Sequence, residues 1–144
     1  MSVRPDGAGP WAHYLVPVGR AAFAWAHVWF SPLNFSPQGV AWASQQGVPL
    51  PGLLVPVAGA ISLAGGLSVI LGYRARLGAW LLVLFLVPVS LLLHNFWAVK
   101  DPMMAQVQQG FFIANLSRIG AALLIAYFGA GPFSLDARAA AGRP

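Results

Sequence analysis

Apolar runs long enough to cross a bilayer recur along this chain, and that pattern constrains its fold more than any other feature. A hydrocarbon core of ~30 Å needs about 20 apolar residues in helical form. Runs of that kind cover 53–72, 77–97 and 109–129, and a less hydrophobic one covers 13–30. Composition agrees: 58% of the 144 residues are hydrophobic and 8% are charged, against about 25% charged in soluble domains. The expectation is an all-α, polytopic membrane four-helix bundle. It forms a single transmembrane domain over 1–144, with short polar tails at 1–12 and 130–144.

The four runs differ in kind. The first is interrupted by Pro17, Gly19, Arg20 and His27; such polar groups are costly against lipid and should face the bundle. The second carries Ala58, Ser62 and Gly66, and in parallel Ala60, Ala64 and Ser68, each set at four-residue spacing. Small residues so spaced let helix backbones approach closely. In the third, Pro88 withholds a backbone donor and predicts a kink. Between the first two runs, Ser36 before Pro37 is a helix-start signal. A short surface helix ended by Gly47 and an irregular loop are the two readings of that connection. The 98–108 segment reads as a polar loop.

Charge fixes the expected orientation. The formal net charge is +5, with eight Lys and Arg against three Asp and Glu. Four crossings place both tails and the 73–76 turn on one side, with Arg4, Arg74, Arg76, Arg138 and Arg143, leaving only Lys100 opposite. Positive charge favours the cytoplasmic side, so both termini are expected inside and the 31–51 and 98–108 connections outside. The expected location is a bacterial inner (plasma) membrane, crossed several times. Isolated cations with no aromatic-basic stripe exclude nucleic-acid binding. Without cysteine, thiol redox chemistry, disulfides and covalent haem attachment are ruled out. No Asp or Glu lies inside a span, which excludes proton relay through buried carboxylates and a carboxylate-rich metal centre; no metal site is expected.

Most side chains capable of specific chemistry lie between His94 and Arg118. His27 and His94, near the outer ends of the first and third spans, are expected at similar depth. Two such imidazoles could ligate a haem, hydrogen-bond a quinone carbonyl, or serve structure alone. Trp29, Phe30, Phe96, Trp97, Phe111 and Phe112 mark the same boundary, as an aromatic belt does. Asn115 and Arg118, three apart, share a helix face. Arg118 falls near mid-membrane, where a charge needs a partner; backbone carbonyls, Asn115, Ser62, Tyr14, Tyr127, Asp101 and an anionic ligand or lipid are the candidates for it and for Arg20. The candidate ligand site is therefore His94, Trp97, Gln109, Asn115 and Arg118, with His27 in support.

Several short motifs resemble the DoxX-like family of small four-helix bacterial membrane proteins, relatives of the membrane subunit of thiosulfate:quinone oxidoreductase. They are Gly47-Val48-Pro49-Leu50-Pro51, Gly65-Gly66-Leu67, Leu71-Gly72 with Arg76, and His94-Asn95-Phe96-Trp97. Gln109 with Phe112, Asn115-Leu116 and the ending Gly131-Pro132-Phe133-Ser134-Leu135-Asp136 complete the likeness. The resemblance implies a subunit associated with quinone-linked electron transfer, with quinone as its cofactor. Its partners would be the lipid bilayer and other membrane subunits or a second copy. Ser62 stands where that pattern has an acid and Ala114 where it often has Lys, with Arg118 one turn deeper. That departure leaves open the alternative of a non-catalytic accessory subunit in a respiratory or photosynthetic complex, and whether the chain is an enzyme at all.

Overall fold

A computed structural model describes residues 11–142, which are helical apart from short turns and irregular connections, with no strand among them. Six α-helices follow in order: α1 (Leu15–Phe30), α2 (Pro37–Gln45), α3 (Pro51–Leu71), α4 (Ala75–Leu93), α5 (Pro102–Phe128) and α6 (Leu135–Ala141). Among the described residues, three segments are long and apolar enough to cross a membrane: α3, α4 with its extension to Ala98, and α5. With 16 residues α1 alone is shorter than those, but helical turns at Ala12–Tyr14 and Ser31–Phe35 prolong it at both ends.

Local chemistry explains the helix ends. With the end of the bundle that carries the 72–75 turn named inner and the opposite end outer, the short outer helix α2 starts where Ser36 Oγ accepts from Gly39 N at 3.1 Å and Pro37 occupies the first turn, satisfying a donor that the helix cannot. Beyond it, Gly47 turns at φ +80°. The segment expected as a loop up to 108 is instead helical from Pro102, because Asp101 caps it by accepting from Met104 N at 2.7 Å. The inner end of α3 closes on Gly72 at φ +65°, with Tyr73 N donating to Ser68 O at 3.1 Å, the arrangement that glycine favours after a helix.

The helices pack as a row, α1 on α3, α3 on α4 and α4 on α5, and α1 and α5 touch only sparsely. Adjacent glycines let α3 serve two neighbours. A Cβ at Gly65 would lie 2.9 Å from Gly78 O of α4, and one at Gly66 would lie 3.2 Å from His27 Cβ of α1. The expected Ala58-Ser62-Gly66 stripe is largely inside, whereas Ala60 and Ala64 of the parallel stripe are exposed. Ala24, Val69, Ala79 and Leu82 form the buried core, with Phe23, Ile70 and Ile125 packed on it.

Candidate functional site

The six residues chosen from the sequence fall into three separate places. At the end of the bundle away from the 72–75 turn, His94 follows the end of α4, and its Nδ1 is 2.7 Å from Gln108 Oε1. An amide oxygen can only accept, so Nδ1 is the donor in this contact. The Phe111 ring lies 5.2 Å from the imidazole. Trp97, Phe96 and Phe112 pack edge to face beside it, and Trp97 is exposed. Gln109 points outward; Gln108, not singled out before, supplies the amide. The available signal was helical spacing: Gln108, Phe112 and Asn115 recur on one face, and a helix beginning at Pro102 puts Gln109 about 100° away.

Asn115 and Arg118 form the second place. Arg118 donates to Asn115 Oδ1 at 2.6 Å, with Asn115 buried and Arg118 half-buried. Asn115 sits seven residues beyond Gln108 on α5, roughly 10 Å deeper at the helical rise, so it does not join the His94 cluster.

His27 is the third. Its Nδ1 lies 3.3 Å from Ser62 Oγ on α3, its ring is edge-on to Phe85 of α4 at 5.9 Å, and Nε2 is buried with no partner. His27, Ser62, Phe85 and Arg118 all stand nine to twelve residues from the inner ends of their helices, a common level ~14–18 Å above that end. His94 is roughly 10 Å further out by the same measure. The two histidines share neither depth nor partner. Their expected common level fails because His27 lies inside α1, three residues before its end, whereas His94 lies beyond the end of the longer α4.

At the inner end, residues outside the candidate set make the densest polar network. Arg20, 5% exposed, donates through its two terminal nitrogens to the backbone oxygens of Ala130 and, at 3.0 Å, Phe133. Asp136 accepts from Arg74 N at 2.7 Å and Ala75 N at 3.0 Å, and its own N–H donates to Gly72 O at 2.9 Å. The carboxylate therefore caps α4 from a distant part of the chain, meeting donors that face no acceptor within the helix. Buried Ser134 caps α6 by accepting from Ala137 N at 3.1 Å. The Gly131–Asp136 motif, the 72–75 turn and Arg20 are thus one fastening.

A cavity of about 410 Å³ opens between α2, α3 and α4 on the outer half. Its walls include Trp42, Val55, Ile61, Phe85 and Pro88, and Asn34 with the Trp42 indole supplies its polar side-chain groups. This size is within the range of small-ligand pockets. Around it, large apolar side chains such as Leu54, Val57, Leu84 and Leu92 remain exposed, a surface that water would not tolerate and lipid would.

Apolar helices, an apolar exterior and polar groups turned inward define a multi-pass helical membrane protein. A family model described as the SURF4 family matches residues 54–140, more than half of the chain, and the chain belongs to that family. No curated protein and no solved structure matches it. The family match corrects the resemblance drawn above: the chain is not placed in the DoxX-like family. The quinone-linked electron-transfer role, its quinone, and the respiratory or photosynthetic accessory role rested on that likeness and are set aside with it.

Proposed function

We propose that this protein is a non-catalytic, multi-pass membrane protein that binds a long apolar ligand, the acyl chain of a lipid, between α2, α3 and α4. The observation carrying this reading is the outer cavity of about 410 Å³, almost wholly apolar and bounded by the capped helix α2. An acyl chain gains by leaving no void there, since an empty apolar space forfeits packing contacts on every wall. In this reading α1 with its flanking turns is a fourth crossing alongside α3, α4 and α5. Arg74, Arg76 and Arg138 at one end against Lys100 at the other support an orientation with both termini on the cytoplasmic side. Arg4 and Arg143, also counted in that bias, lie outside the described residues. A bacterial inner membrane suits the same orientation.

None of the six sequence-selected residues lines the cavity. His94 and Trp97 are assigned to anchoring at headgroup level, His27 to tying α1 to α3 through Ser62, and Arg118 to pairing with Asn115 along α5 at mid-membrane. Gln109 faces the surroundings. The test is native mass spectrometry of gently extracted protein, comparing the natural sequence with Ile61→Trp and Val89→Trp, which fill the cavity. Loss of a bound lipid-sized mass in both variants, with the fold retained by circular dichroism, is expected. An unchanged lipid complement in both would sink the reading.

A further inference from the structure

A second groove lies on the opposite half of the molecule, where α1 and α5 part. It measures about 230 Å³ and runs between Val16 and Phe23 of α1 and Ala121, Leu124 and Ile125 of α5, with Gly129 and Ala130 at its inner end. Open space extends along the seam, since a Cβ at Gly19 would meet nothing within 4 Å. Arg20 lines the groove and is its one charged side chain. Its Nε is buried without a partner, so its charge acts from beneath rather than by direct contact. At the mouth, Arg76 lies over Gly129, its Nε 3.4 Å from where a Cβ would stand.

The charge at this end is unbalanced. Arg20, Arg74, Arg76 and Arg138 face one carboxylate among the described residues, Asp136. Both Asp136 oxygens are already engaged by the backbone N–H groups of Arg74 and Ala75. We propose that the inner half of the α1–α5 seam binds an anionic phospholipid, with an acyl chain in the groove and its phosphate at Arg76. Charge complementarity selects this occupant. A zwitterionic lipid would bring its own cation to a cationic mouth. The groove is also too small for a helix, whose diameter with side chains is ~10–12 Å. This site is separate from the outer cavity and needs nothing from it.

The experiment compares retention of phosphatidylglycerol and phosphatidylcholine with identical chains, from mixed micelles, by native mass spectrometry. The natural sequence should retain phosphatidylglycerol in preference. Arg76→Gln, on an exposed residue, should reduce that preference about fivefold, the effect of one cation facing anionic lipid. Leu124→Trp should reduce retention of both lipids, while Lys100→Gln at the far end should change neither. Equal retention of the two lipids by the natural sequence, or a preference untouched by Arg76→Gln, overturns the proposal. So does displacement by inorganic phosphate, which would mark a site for a small anion. Ile61→Trp should leave the phosphatidylglycerol preference intact, so failure here and failure of the outer-cavity reading are told apart.

Discussion

Gly72 and Asp136 show how single atoms hold the inner end of this protein. Gly72 has φ +65°, and a Cβ there would collide with Ser134 Cβ. Left-handed backbone alone costs a non-glycine residue ~1–2 kcal/mol, and the collision adds to it. Gly72→Ala is therefore expected to lower thermal stability in detergent by more than Asp136→Ala. The latter removes a cap worth ~0.5–2 kcal/mol, and Asp136→Asn should fall between the natural residue and Ala. Equal melting temperatures for Asp136→Ala and the natural sequence would show that the 72–75 turn holds without the carboxylate. The two cations set within helices were legible in part. Arg20 and Arg118 found partners of the expected kinds, backbone carbonyls for one and Asn115 for the other. What could not be read was which carbonyls, because Ala130 and Phe133 lie more than a hundred residues from Arg20. Gln109 was chosen where Gln108 does the bonding, since one residue's shift in helix register turns a side chain by about 100°.

Among the elements, α3 is the one on which the others depend. It packs against α1 on one side and α4 on the other, and the Gly65-Gly66 pair supplies a flat surface to each. In a membrane, helices gain nothing from hiding apolar surface from water, so close van der Waals approach carries the association. Gly65→Leu should force α3 and α4 apart and lower the melting temperature markedly. Ala64→Leu, at an exposed position, should leave it nearly unchanged; similar losses in both would mean that α3 lacks this sidedness. The small-residue spacing was visible in the sequence as two parallel stripes, and packing uses mainly one of them. Periodicity alone cannot choose between stripes, because both have the same spacing and only the neighbours break the tie. The outer end of α5 was misread for a different reason: polar Gln side chains obscured a start that the Asp101-Pro102 pair announces.

For the whole molecule, the distribution of charge separates an inner end rich in Arg from an outer end holding α2, His94 and the apolar cavity. The absence of cysteine makes orientation directly measurable. Single replacements Gln46→Cys and Arg138→Cys, both at exposed positions, should react with a membrane-impermeant maleimide from opposite sides. Gln46→Cys is expected to label in intact cells, and Arg138→Cys only after permeabilisation. Labelling of both from the same side would contradict the proposed crossings. The three long apolar helices support the membrane character of the chain, and the proposed lipids fall to the two grooves, one toward each end.

Solvent preference is a property of segments, so the sequence by itself determined that this is a helical membrane protein, roughly where its long apolar helices run, and that buried cations must seek neutral partners. It also carried the cap at Ser36, whose partner lies three residues away. Tertiary structure alone decided that the six expected site residues, His27 included, fall in three places at two depths, that His27 meets Ser62, and that the Gly131–Asp136 ending fastens Arg20 and the 72–75 turn. The physical reason is distance along the chain. Depth depends on where each helix begins relative to its neighbours, and cavities form only where helices from remote segments fail to meet.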